Sequence, residues 1–191
     1  MTGVRGVLLC GGTGSRFGGA KLVAKLDGDA IGVLAAKHLI EGVGNALAVV
    51  RPGDAELRNL LAVTGCEILE TAAAERGMGA SLAAAVLALP AARGWVVALG
   101  DMPRILPATH RAVTDAIRHG APLAAAVSAA TGQRGHPVAF SRSLFAQLAS
   151  LDGDEGARSV VALHRDRLVE VAVDDPGILF DVDTPADVAR L

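Results

Sequence analysis

Leu8-Leu9-Cys10-Gly11-Gly12-Thr13-Gly14-Ser15-Arg16-Phe17-Gly18-Gly19-Ala20-Lys21-Leu22 is a glycine-rich loop that follows an apolar run and carries one arginine and one lysine. Five glycines between positions 11 and 19 let bare backbone N–H groups approach a polyanion, and the two cations can neutralise its phosphates. The loop asks for a nucleoside triphosphate. It is neither of two familiar phosphate loops. A Walker A loop places Lys-Ser or Lys-Thr directly after glycine, whereas Lys21 lies between Ala20 and Leu22. A dinucleotide loop reads G-x-G-x-x-G, but after Gly12 and Gly14 the next glycine is Gly18, and no acidic residue closes the following apolar run at Val49-Val50. A nicotinamide-dependent oxidoreductase is set aside on that spacing.

Outward from the loop, strand-length apolar runs recur at residues 4–9, 46–50, 67–69, 95–99, 123–127, 137–140 and 168–173. Most are continuous rather than alternating, as in strands covered on both faces. Helical patterns lie between them at 31–41, 54–63, 79–89, 107–119, 141–151 and 155–165. This alternation predicts a three-layer α/β/α Rossmann-like fold with a mostly parallel sheet, in which ligands gather at the carboxyl ends of the strands. The glycine loop falls at such an end, and so does Asp101 in Gly100-Asp101-Met102-Pro103.

With 191 residues, 51% of them apolar, the chain is expected to be one domain over 1–191. A net charge of −2 without blocks of like charge speaks against nucleic acid as a partner. No stretch reads as a signal peptide or membrane span, so a soluble cytoplasmic protein with no membrane partner is expected. Cys10 and Cys66 form no disulfide framework or zinc spacing and read as reduced core thiols. With no tyrosine and one tryptophan, base recognition must rest on backbone and small side chains.

Several polar segments have structural readings beside functional ones. Asp54, Ser141 and Thr184 before Pro185 read as helix caps. Asp174 and Asp175 read as a solvated turn. Gly77-Met78-Gly79-Ala80-Ser81 precedes a helix, with Ser81 able to cap it. Thr131-Gly132-Gln133-Arg134-Gly135-His136 is the most polar, glycine-bearing connection of the second half and reads as facing a ligand or partner. In Gly153-Asp154-Glu155-Gly156-Ala157-Arg158 the aspartate could cap a helix and pair with Arg158. Asp101 can serve as a hard oxygen ligand or as a turn residue before Pro103, and Asp183 competes with Asp181 as a second ligand.

The first loop resembles the L-x-G-G-x-S-x-R-x-G-x-x-K signature of the MobA-like nucleotidyltransferases, a branch of the GT-A type of α/β fold, with Ser15, Arg16, Gly18 and Lys21 on matching positions. The segments at 77–82, 100–103, 134–138, 153–158 and 181–185 resemble, in order and spacing, the molybdenum cofactor cytidylyltransferase branch. The resemblance implies Mg²⁺ on Asp101 and Asp183, with Arg16, Lys21 and Asp101 as catalytic residues. It implies nucleotide contacts from Leu9, Cys10, Gly11, Gly12, Thr13, Gly14, Ser15, Arg16, Lys21, Gly77, Met78, Gly79 and Ser81. It places Arg134, Gly135, His136, Pro137, Asp154 and Arg158 at a phosphorylated pterin acceptor, and allows a molybdoenzyme or its chaperone as a partner.

CTP is the donor expected from the later segments. The double glycine Gly11-Gly12 is closer to the guanylyl branch, so GTP is the alternative, and a non-catalytic nucleotide-binding module is the reading from another class. In the implied reaction a phosphate monoester attacks the α-phosphorus of the triphosphate. Its second pKa near 6 leaves it already ionised at neutral pH, so no general base is required.

Overall fold

The computed structural model of the chain describes residues 3–12, 17 and 20–188. In chain order these form β1 (Val4–Leu9), the short pair β2 (Lys25–Leu26) and β3 (Asp29–Ala30), α1 (Ile31–Val43), β4 (Ala46–Val50), α2 (Ala55–Ala62), β5 (Glu67–Glu70) and α3 (Met78–Ala88). There follow β6 (Gly94–Leu99), α4 (Pro107–Arg118), β7 (Leu123–Ser128), β8 (Arg134–Ser141), α5 (Phe145–Ala149), α6 (Arg158–Leu163), β9 (Leu168–Val173) and α7 (Pro185–Val188).

Seven strands make one sheet in the order β5-β4-β1-β6-β8-β7-β9. Only β8 runs antiparallel to its neighbours within that sheet, so the sheet is mostly parallel. Strands β1 and β4 are buried at every position, which accounts for their unbroken apolar sequences. Successive β1 residues enter opposite layers: Val4 and Leu8 pack with Ile31, Leu39, Val113 and Ile117 of α1 and α4, while Val7 and Leu9 pack with Leu82 and Val86 of α3 and with Trp95, Phe140 and Leu148. This is the three-layer α/β/α fold expected from the alternation.

The chain leaves β1 toward β4 and β5, then returns to the other side of β1 as β6. The direction of winding therefore reverses between β1 and β6, and in doubly wound sheets such a reversal opens a ligand crevice at the strands' carboxyl ends. The glycine loop leaves β1 at that crevice, and Asp101 leaves β6 there.

Several local expectations are corrected. Strand β8 begins at Arg134, which pairs with Val127 across a register shift in β7, so Gly135 and His136 are strand residues rather than loop residues. The helix expected over 141–151 is a 3₁₀ turn, Arg142–Leu144, followed by the short α5, and the one expected over 155–165 is reduced to α6. Positive-φ Gly153 and Gly156 keep the preceding residues in turns, so Asp154 caps no helix. Asp54 and Ser141 precede their helices without capping them: Asp54 pairs with Arg51, and Ser141 shares a hydrogen bond with Ser143. Asp175 is not in a solvated turn. It is 4% exposed, and it accepts from the Leu106 N–H, the Thr109 hydroxyl and the Gly177 N–H. A buried carboxylate needs such donors to offset its lost hydration.

Candidate active site

The ends of β1 and β6 are tied together before the site begins. The Gly100 N–H donates to the Leu9 carbonyl at 2.9 Å, and the Cys10 N–H donates to the Val49 carbonyl at 3.0 Å. A Cβ on Gly100 would sit 2.9 Å from Cys10 Sγ, so only glycine lets Asp101 emerge directly beside the loop. Leu9 and Cys10 are buried, and burial pushes the Cys10 thiol up, which makes it a packing group rather than a nucleophile. These two residues position the loop, while Gly12 is exposed at its start. Thr13, Gly14, Ser15 and Arg16, named above as nucleotide contacts, lie outside the described residues.

Lys21 opens a 3₁₀ turn, Lys21–Val23, and turns its side chain inward. Its ammonium donates to Asp101 Oδ2 at 2.8 Å and to Asp183 Oδ1 at 3.1 Å. Burial alone would lower the lysine pKa, but the hydrogen bonds and charges of Asp101 and Asp183 hold it above the usual value. The side chain of Lys21 is 10% exposed, against 25% for Asp101 and 40% for Asp183, so the carboxylates open to solvent on the side away from the lysine. A backbone bond from Val182 N–H to the Asp101 carbonyl, 2.9 Å, fixes the second carboxylate segment against the first. Asp181 is exposed and makes no contact with Lys21 among the described hydrogen bonds, so Asp183 is the partner that this geometry selects.

Two carboxylates from distant segments thus converge on one positive charge. The ammonium stands in for a cation, and the donor set of hard oxygens suits Mg²⁺, which takes one or two protein carboxylates and completes its shell with water and phosphate. Among the described residues no cluster of three or more His, Cys, Asp or Glu is found, so an ion on these two carboxylates would complete its shell with water or with substrate oxygens.

On the neighbouring side, His136 of β8 lies near Asp101, Asp181 and Arg158. Burial pushes the His136 imidazole down, against the raising effects of the Val97 backbone and of the two aspartates. Its Nδ1 is buried and has no hydrogen-bond partner among the described residues. The His136-Pro137 peptide bond is cis, and Pro137 is buried. Arg134 is exposed at the strand's start, and Gly135 packs against the backbone of Ile178.

The segments at 77–81 and 153–158 meet. Gly77, at φ 118°, precedes α3 with the carboxylate of Asp154 lying against it, and the Gly79 N–H donates to the Gly153 carbonyl at 2.7 Å. Met78 touches Gly156. Ser81 does not cap α3; it lies inside the helix, 2% exposed, and donates back to the Gly77 carbonyl at 2.8 Å. No ion pair joins Asp154 to Arg158 among the described residues.

A cavity of about 220 Å³ opens beside Lys21 and Gly12, bounded on its far side by Arg51, Asp54 and Leu57. Arg51 follows β4 directly, and its guanidinium meets Asp54 through Nε at 3.1 Å and Nη2 at 3.4 Å. No motif in the sequence marks this pair as functional. The strand-end rule that singled out Asp101 also applies to Arg51, one residue beyond the apolar run 46–50.

Comparison with known proteins gives the family and agrees with the fold. A profile of the MobA-like NTP transferase domain matches residues 6–170. The purine catabolism protein PucB of Bacillus subtilis (strain 168) is 32% identical over 195 residues, covering 95% of this chain and 92% of that protein. The crystal structure of Rv0371c from Mycobacterium tuberculosis H37Rv is 30% identical with a TM-score of 0.85, covering 98% of this chain and 95% of that one. The manganese complex of Rv0371c is 27% identical with a TM-score of 0.80, covering 98% and 97%.

Proposed function

The chain belongs to the MobA-like NTP transferase family of nucleotidyltransferases, and on that premise we propose that it moves a CMP group from CTP to the terminal phosphate of molybdopterin or the molybdenum cofactor, releasing pyrophosphate. The observation that carries this reading is the convergence of Lys21, Asp101 and Asp183 at the reversal of the sheet, beside the glycine loop.

A phosphate oxygen of the acceptor attacks the α-phosphorus, the bond to the bridging oxygen of the β-phosphate breaks, and pyrophosphate departs with that electron pair. Alignment and charge neutralisation are what the protein must supply. Asp101 and Asp183 would hold Mg²⁺, which would draw charge from the phosphate oxygens; the manganese-bound relative supports a divalent ion in this fold. Lys21 remains charged throughout the neutral range and offsets negative charge on the leaving pyrophosphate. Gly11 and Gly12 leave room for the triphosphate, and the cavity bounded by Arg51 and Asp54 receives another part of the nucleotide. His136 and Arg158 face the acceptor, and the unpartnered Nδ1 of His136 is a group that a bound acceptor would satisfy.

CTP is favoured by the segments at 77–82, 135–137 and 153–158, while the Gly11-Gly12 pair favours GTP. Pyrophosphate release from each of the four triphosphates, with Mg²⁺ and a molybdopterin acceptor, tests the reading. Release with CTP alone supports it, and release with GTP alone replaces the donor. Nucleotide binding without release under every acceptor rejects transfer in favour of a binding module.

A further inference from the structure

We propose that Asp187 is a positioning residue for the carboxylate of Asp183; the inference rests on the reading that Asp101 and Asp183 hold a divalent ion. Asp187 is the third residue of α7, a helix of only four residues, and at that place a carboxylate commonly reaches back to the backbone N–H of the N-cap residue. Asp187 does so: its Oδ2 accepts from the Thr184 N–H at 2.7 Å. The same oxygen also accepts from the Thr184 hydroxyl at 2.8 Å and from the Asp183 N–H at 3.2 Å.

The last of these bonds is not needed to start the helix. It lies one residue before the cap, at Asp183 itself. The Val182 N–H, one residue earlier, donates to the Asp101 carbonyl. Three consecutive backbone N–H groups, at 182, 183 and 184, are therefore held by the other carboxylate segment and by Asp187. The side chain of Asp183 leaves a backbone pinned on both sides, and its Oδ1 lies within hydrogen-bond reach of the Lys21 ammonium. Partners that orient a metal-binding carboxylate typically influence metal affinity by about 10- to 100-fold.

Titration of the full chain with Mn²⁺, followed by EPR of the free ion in the absence of nucleotide, tests this. Asp187→Ala is expected to weaken Mn²⁺ binding by about 10-fold or more. Asp187→Asn keeps an acceptor oxygen and is expected to stay within about threefold of the parent protein, because the role is geometric and the bonds that it accepts from residues 183 and 184 come from neutral N–H and O–H donors. Thr184→Ala removes one bond to Asp187 but leaves the Asp183 N–H in place; it is expected to lower the thermal midpoint while leaving Mn²⁺ binding unchanged.

Parent-like Mn²⁺ binding by Asp187→Ala overturns the proposal. So does an equal loss in Asp187→Asn, which would make the effect one of charge, or an equal loss in Thr184→Ala, which would make it one of helix stability. Should Asp187→Ala fail to fold, Asp187→Ser, whose hydroxyl is too short to reach the Asp183 N–H, takes its place under the same criteria. Asp183→Asn separates the two levels: if it binds Mn²⁺ as the parent does, the metal reading itself fails; if it loses binding while Asp187→Ala does not, only the positioning role fails.

Discussion

Lys21 Nζ lies 2.8 Å from Asp101 Oδ2, across 80 residues of sequence. The lysine thus sits where a divalent ion would be expected to bind, and the two cations compete for the same oxygens. Lys21→Met is expected to raise Mn²⁺ affinity about fivefold or more without nucleotide, by removing that competitor, and to lower the rate of pyrophosphate release about 100-fold by removing the positive charge that offsets the leaving pyrophosphate. EPR titration and a pyrophosphate assay check the two halves separately. A drop in Mn²⁺ affinity would show that the lysine supports the ion rather than competing with it.

Asp101→Asn should preserve the fold, because the contact that ties this turn to residue 182 uses the backbone carbonyl and not the carboxylate. Turnover is expected to fall by about 100-fold or more, with the circular dichroism spectrum unchanged. Normal turnover at saturating Mg²⁺ would remove Asp101 from the mechanism.

Arg51 and Asp54 bound the cavity beside Lys21, whose lining includes neither Asp101 nor Asp183. Arg51→Ala is expected to raise KM for the triphosphate by about 10-fold with kcat nearly unchanged, the pattern of a contact made equally in ground and transition states. Steady-state kinetics over a range of triphosphate concentrations provide the check. An equal fall in kcat would place Arg51 at the chemistry instead.

His110 is 1% exposed between α4 and α1, and its pKa is pushed down to about 3, by burial first and by the nearby His38 and His136 second. An unfolded histidine takes up its proton near pH 6.5, while the folded one stays neutral. The unfolded state therefore binds more protons between those values. Stability is complete above about pH 6.5 and falls as the pH drops toward 3, by up to about 1.4 kcal/mol per unit for this group. His110→Leu is expected to flatten the dependence of urea unfolding on pH in that window. A slope identical to that of the parent would exclude His110 as its source.

Local signals and distant ones differed in how well they could be read. The bounds of β1, β4 and β9 match the apolar runs residue for residue; β1 and β4 do so because a strand buried on both faces is apolar throughout, while β9, at the sheet edge, is half exposed. The start of β8 was hidden because Arg134-Gly135-His136 has the composition of a turn, and only its pairing with β7 makes it a strand. Asp175 looks solvated in the sequence for the same reason: two of its donors, at Leu106 and Thr109, are more than 60 residues away. In the site, Lys21, Asp101 and Asp183 stand out by motif, and the fold brings them together. Arg51 and Asp54 are spaced like any surface pair at i and i+3, and nothing local reveals that a cavity opens beside them.

Gly79 and Gly153 lean on each other so closely that a methyl group at position 79 would come within 2.6 Å of the Asp152 carbonyl. The strips at 77–81 and 152–156 therefore cannot be rewritten independently. Any side chain at position 79, set against the present 152–153 backbone, would be driven into it, so a change in one strip has to travel with a change in the other as one cassette.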